Sequence, residues 1–416
     1  MQNTKTATDK FTSYQKFAIV ILALLQFTVV LDFMILAPLG DILMKSLEIT
    51  PKQFSWILSS YAFSAAASGI LAAGFADKFD RKKFLLVFYV GFVVGTLFCG
   101  LSNSYETLLA ARIITGLFGG VIGATGLAII TDIFSINQRG RVMGFVQMAF
   151  AGSQILGIPA ALYLSNKWNW HVAFFMIVIL AIIIGIAFLL KMKPVDEHLK
   201  LQSKRNAFHH LWSTLSNKSY QVGFLAMVML PVGGFMIMPF SSAFLVNNIN
   251  ISQDDLPIIF LCTGISSIII MPIIGKISDR FDKFWLFTIG SIWAVVMVIV
   301  YTNLTPVDIW QVVVINMLLF MGIMSRIIPA TALSTAIPEI KDRGAYMSIN
   351  SSLQQMAGGL ASIAAGFIVT QQSKTSPIEN YDVLGYVVSG TILLCIFLIY
   401  RVSVMAKTKQ AENKPV

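Results

Sequence analysis

Twelve runs of roughly twenty mostly apolar residues each punctuate the 416-residue chain, and no other feature restricts its fold as much. They fall at 17–39, 54–75, 84–102, 107–131, 142–164, 171–191, 221–246, 257–275, 284–302, 309–335, 345–369 and 383–404. Runs of this length predict membrane-spanning helices, because lipid offers unpaired backbone groups no partner and barrel strands are far shorter. The longest polar interruption lies between the sixth and seventh runs. The expected fold is therefore an all-α membrane protein with twelve transmembrane helices in two six-helix halves, 1–191 and 220–416, joined by a linker at 192–219. Composition agrees: 56% of residues are hydrophobic and only 12% charged. A soluble domain carries about 25% charge, and half of that cannot cover a water-exposed surface of this size. A soluble enzyme, a disordered chain and a disulfide scaffold are excluded. Cys99, Cys262 and Cys395 each stand alone in an apolar run, so neither a zinc site nor a disulfide framework is expected. The first 16 residues are polar and the run after them is too long for a signal peptide, so it reads as a retained first span.

Orientation follows from the 30 Lys and Arg residues. The loops on the side of both termini hold 24 of them, and the other side holds four: Lys45, Lys52, Lys167 and Lys374. The excess of loop bases marks the cytoplasmic side, which places both termini in the cytoplasm and fits a bacterial inner membrane. The net charge of +10 is thus a topology signal, and no nucleic-acid partner is expected. In the linker, Phe208, Leu211, Trp212 and Leu215 follow helical spacing and predict a short amphipathic helix on the membrane surface; a solvated linker is the alternative. The neighbouring His209 and His210 are not read as a metal site.

The chain also repeats itself. Gly74-Phe-Ala-Asp77-Lys-Phe-Asp80-Arg81-Lys82-Lys83 follows the second span, and Gly275-Lys-Ile-Ser-Asp279-Arg280-Phe-Asp282-Lys283 follows the eighth, 201 residues later. Arg139-Gly140 opens the fifth span and Arg343-Gly344 the eleventh, at an offset of 204. Two six-span units in parallel repeat are a transporter architecture. The first loop resembles the signature of the major facilitator superfamily, G-x-L-A-D-R-x-G-R-[RK], with Phe75, Lys78 and Asp80 as departures. The resemblance covers the whole chain and implies a secondary transporter of small molecules that works by alternating access as a monomer in the bilayer. Asp77 can sit at a helix N-terminus, where the dipole favours an anion, and Arg81 can pair with Asp132. Together with Gly74 these residues form a candidate latch between conformations, with Asp279, Glu339 and Arg343 as second-half counterparts.

Three ionisable residues lie within spans: Asp32, Arg112 and Arg326. Charges there are expensive and mark function by default. Asp32 lies roughly 22 Å above the start of span one and Arg112 roughly 9 Å below the start of span four, a similar depth, so they can pair across a water-filled cavity. A carboxylate beside a cation stays ionised, and withdrawing the cation favours protonation; proton coupling and a structural ion pair are both consistent with this. In the superfamily's drug/proton antiporter branches an acid in span one and an arginine in span four recur, which the resemblance carries onto Leu31-Asp32 and Ala111-Arg112. Gly152, Gly157 and Pro159 resemble the antiporter motif of span five, with Ile158, Ala160 and Ala161 as departures. Arg326 can bind an anionic or carbonyl group, or snorkel to the interface. Asn316, Gln147, Gln154 and Gln354 are candidate cavity-lining polar residues, with Phe33 and Met236 as an adaptable apolar wall. No catalytic constellation or nucleotide loop is present, so no enzyme and no cofactor are expected, and the proton gradient supplies the energy. Export of small amphipathic compounds is the leading expectation. Import of an organic anion or sugar, with Arg326 as anchor, and a non-transporting receptor are the alternatives.

Overall fold

The structure, a computed structural model, describes residues 11–73, 76–196, 199, 207–339 and 342–412. The first half comprises α1 (Ser13–Ile35), a short α2 (Gly40–Ser46), α3 (Pro51–Ala73), α4 (Arg81–Leu101), α5 (Tyr105–Ile133), α6 (Ile136–Gly152), α7 (Ile158–Lys167) and α8 (His171–Lys191). A π-helical turn, Ser153–Gly157, joins α6 to α7 as one continuous span. After α9 (Ala207–Leu215) the second half follows: α10 (Lys218–Asn247), α11 (Leu256–Arg280), α12 (Lys283–Thr302), α13 (Ile309–Ser334), α14 (Arg343–Ile368) and α15 (Tyr381–Glu412).

Among the described residues, eleven helices are long and apolar enough to cross a membrane. The twelfth is α14, whose 26 residues suffice in length but include Ser348, Asn350, Ser351, Ser352, Gln354 and Gln355. It packs between α3 and α10, so its small and polar residues meet protein, while Met347, Met356, Leu360 and Phe367 stay exposed. Exposed apolar side chains also cover α4 and α8, including Val87, Val90, Ile179 and Leu190, a surface suited to lipid and not to water. Most spans begin earlier than hydropathy alone places them, because polar caps add a turn: Thr12 and Gln15 form a capping box at α1, and Ser104 and Thr107 one at α5. The repeat is visible in the frame, since the starts of α1, α3, α4 and α5 recur at α10, α11, α12 and α13 with offsets of 202 to 205 residues. The amphipathic helix expected in the linker is α9: Leu211 and Leu215 pack on the second half and Trp212 is exposed.

Both ends of the chain's helical frame lie on one face, which among the described residues carries Arg81, Lys82, Lys83, Arg139, Arg141, Lys191, Lys193 and Lys283 and is here called the basic face. Near the opposite face a single apolar cluster runs through both halves, joining Leu36, Phe54 and Phe174 to Phe240, Phe244 and Tyr301. Toward the basic face the core separates into clusters that each stay within one half, the two larger ones around Leu22, Tyr89 and Ile130 and around Phe224, Phe287 and Tyr346. The halves therefore close on each other at the opposite face and part toward the basic face.

Candidate functional site

Asp32 on α1 and Arg112 on α5 form a direct ion pair. Arg112 Nη1 donates to Asp32 Oδ2 at 2.7 Å, and the two side chains are 0% and 1% exposed. Thr96 on α4 donates to the other carboxylate oxygen at 3.2 Å. The guanidinium lies 4.4 Å from the ring centre of Tyr61 on α3, and Arg112 Nε has no hydrogen-bond partner. Small residues permit this convergence: a Cβ at Gly95 would fall 2.7 Å from Thr115 Oγ1, and one at Gly116 would fall 2.5 Å from the Tyr61 carbonyl. The pair is buried and in direct contact inside the first half, where the sequence suggested a water-filled cavity between the partners. Both partners belong to the first half, as their spans imply. Thr96 and Tyr61 carry no sequence signal of their own; only the fold brings them to the charge pair.

The other intramembrane cation is placed differently. Arg326 on α13 is 3% exposed, so it does not snorkel. Its Nε donates to Ser291 Oγ on α12 at 3.0 Å, its guanidinium lies 5.4 Å from the Phe287 ring centre, and its Nη2 lacks a partner. Asn316 is also buried with an unpartnered Nδ2. Gln154 lies in the π turn and faces a narrow cleft with Met34, Met238, Phe260, Thr263 and Phe320. Phe33 sits 5.3 Å from the Tyr61 ring and 5.9 Å from that of Phe235, bridging the halves. Met236 belongs to the shared apolar core, and Gln147 is exposed on α6 while Gln354 is half-buried on α14. These residues do not converge with Arg326 on one site.

The antiporter-like segment coincides with the π turn. A wide turn accommodates Pro159, which lacks an N–H and would crowd the carbonyl four residues earlier. A Cβ at Gly157 would fall 2.5 Å from Leu31 on α1, and one at Gly152 would fall 3.4 Å from Phe27. On the far side, a Cβ at Gly264 of α11 would come within 3.1 Å of the Gln154 backbone. The π turn is thus wedged between α1 and the second half.

In the loop after α3, Arg81 Nε donates to Asp132 Oδ2 at 2.5 Å, tying the start of α4 to the end of α5. Both residues belong to the first half, so this pair does not itself bridge the halves. Arg81→Gln should lower stability by about 1.5–3 kcal/mol, the worth of a hydrogen bond between charged groups, and thermal unfolding in detergent measures this. Gly74 and the side chains of Asp77, Asp279 and Arg343 lie outside the described residues. Glu339 is exposed, and its backbone N–H donates to Tyr220 Oη, which in turn donates to Asp342. Two acids not singled out from the sequence organise these loops at matching positions. Asp80 caps α4 through the Lys82 N–H and also accepts from the Val195 N–H; Asp282 caps α12 through the Phe284 and Trp285 N–H groups. A hydrogen bond from Lys407 holds the Asp282 carboxyl below the usual carboxylate range.

A family model described as Major Facilitator Superfamily matches residues 22–337 and 223–415. A vacuolar membrane amino acid uptake transporter, fnx2, of Schizosaccharomyces pombe is 37% identical over 137 residues, 33% of this chain and 23% of its own. Multidrug resistance protein 3 of Bacillus subtilis is 28% identical over 123 residues, 30% of this chain and 24% of its own. The chain thus spans about a quarter of the length of these curated relatives. In fold it is similar to the crystal structure of a bacterial homologue of the human lysosomal transporter Spinster, inward-facing and unoccupied. That likeness has a TM-score of 0.75 at 15% identity over 96% of this chain and 99% of the other. With the family model matching nearly end to end and the twelve-helix frame in place, the chain belongs to the major facilitator superfamily.

Proposed function

We propose that this secondary transporter is a proton-coupled exporter of small amphipathic compounds, with Asp32 as the proton carrier and Arg112 as its counter-charge. The observation that carries the proposal is the 2.7 Å ion pair buried in the first half. An ionised carboxylate is tolerated in that interior only while the guanidinium faces it. Separating the two leaves a charge in low dielectric, where the neutral acid is favoured. A movement of α1 against α5 would therefore exchange a proton. On this reading the basic face is cytoplasmic, the membrane is a bacterial inner membrane, and the structure stands in the cytoplasm-open, substrate-loading form. The Gln154 cleft and Phe33 lie between the halves, where a substrate would be enclosed, and Asp77 and Arg81 belong to the loop that resets the cycle. The proton gradient is the energy source, no cofactor enters, and one chain is the working unit.

The test is ΔpH-driven uptake of fluorescent amphipathic substrates into everted vesicles. Wild type should accumulate substrate. Asp32→Asn should retain downhill equilibration and lose at least about tenfold of the accumulation, roughly 1.4 kcal/mol of drive. Full accumulation by the variant overturns the assignment of Asp32. A second reading, import of an organic anion, is favoured by the unpartnered Nη2 of buried Arg326. It requires movement in the other direction, and loss of anion uptake in Arg326→Gln.

A further inference from the structure

The apolar runs draw attention to Asp32 and leave a second buried carboxylate unnoticed. Asp41 lies on α2, a helix too short to register as a span, at the opposite face, and is 1% exposed. Its Oδ2 accepts from Lys45 Nζ of the same helix at 2.7 Å, and its Oδ1 accepts from Asn247 Nδ2 at the end of α10 at 2.6 Å. Gln253 Nε2, from the turn before α11, donates to Oδ2 as well. The Asp41 backbone N–H donates to Ser242 Oγ at 3.3 Å, and Ser242 donates to the Ala37 carbonyl at 3.2 Å. Lys45 reaches on to Asn247 Oδ1 at 3.0 Å, while Asn166 Nδ2 of α7 donates to the Gln253 carbonyl at 2.6 Å.

The contact is close as well as polar, since a Cβ at Gly40 would fall 2.8 Å from the Pro239 carbonyl of α10. By contrast α2 is fastened to its own half, with Trp170 Nε1 of the segment before α8 donating to Ser46 Oγ at 3.0 Å. Nearer the rim, Lys374 pairs with Glu48, a fully exposed ion pair of small worth. Among the described residues, hydrogen bonds and ion pairs that cross between the halves all lie in the part of the molecule near the opposite face, and Asp41 takes part in three of them, two through its carboxylate and one through its backbone N–H, more than any other residue.

We propose that Asp41 is the gate residue of the opposite face: a carboxylate of the first half that holds this face shut by accepting from Asn247 and Gln253 of the second. Opening toward that face must pull α10 and the turn before α11 away from α2. Asp41 then keeps only Lys45, and water replaces the two amides. A carboxylate suits this task because it accepts from three side-chain donors at once. An asparagine in its place offers one acceptor and turns an amide toward Lys45 or the two donors. The proposal rests on alternating access between the halves and is independent of substrate, direction and the role of Asp32.

The experiment measures both faces in nanodiscs, in a background with Cys99, Cys262 and Cys395 changed to alanine. Spin labels at Asn103 and Thr305 report the opposite face, and labels at Pro194 and Phe281 report the basic face; all four sites are exposed. Asp41→Asn should raise the ratio of opposite-face-open to closed molecules at least about tenfold, with the Pro194–Phe281 distances shortening in step. Gln253→Leu, which leaves α2 intact, should move both distances the same way. Unchanged distances in both variants, with melting temperatures like the parent, overturn the proposal. Broadening at both faces without the opposed shift also overturns it, since that is loss of structure and not release of a gate.

Discussion

Arg112→Met should cut the yield of folded protein sharply, and Asp32→Asn/Arg112→Met should restore most of it. The single change leaves the Asp32 carboxylate in the interior with only Thr96 as a donor. Breaking a buried ion pair by removing one partner costs about 3–5 kcal/mol, whereas replacing both charges by neutral groups of similar volume is often neutral. That is a large share of the roughly 5–15 kcal/mol that holds an ordinary domain folded. Size-exclusion profiles and thermal unfolding of the wild type, both single variants and the double variant complete a cycle that isolates the coupling between the two sites. Equal losses in Arg112→Met and the double variant would mean that contact with Tyr61, and not charge, is what Arg112 supplies. The double variant should still fail to accumulate substrate, which separates the stability of the pair from its use in transport.

Gly120→Val should abolish folded protein, while Gly126→Val, six residues along the same helix, should be tolerated. A Cβ at Gly120 would lie 2.3 Å from the Ala65 carbonyl oxygen and 2.6 Å from its Cα, both backbone atoms that cannot turn aside. At Gly126 a Cβ meets nothing within 4 Å. Overpacking a tight contact typically costs 1–3 kcal/mol, occasionally more, and here the whole of α3 would have to move off α5. Since α3 also carries Tyr61 beneath Arg112, milder changes such as Gly120→Ala should disturb the ion pair before they unfold the chain. Expression as a fluorescent fusion, followed by size exclusion, measures both effects.

The frame was readable because its signal is coarse. A bilayer demands long apolar runs, and all twelve stood out, including α14, whose polar residues weaken the signal without erasing the run. Asp32 and Arg112 were readable for the same reason: a charge in an apolar run is conspicuous, and helical rise places both at one depth. Arg326 was conspicuous too, but its environment was not, because nothing local says that α13 turns this side chain onto Ser291 and Phe287. Met236 reads as a cavity wall and proves to be core, since which side of α10 meets the first half is decided only by packing. Asp41 escaped notice entirely. It sits in seven residues between two spans, and its partners are about 200 positions away. The π turn has no sequence signature beyond the pairing of glycines with a proline.

That turn has a geometric consequence for the rest of its span. A π turn accommodates one residue more than an α turn, and each residue of an α-helix carries about 100° of rotation. Everything downstream is therefore set at an azimuth that an uninterrupted helix from α6 would not give. It is at this azimuth that Asn166, near the end of α7, meets the Gln253 carbonyl of the second half at 2.6 Å. The fifth span thus acts as a keyed shaft: five residues at its middle fix which side of its far end is turned toward the partner half.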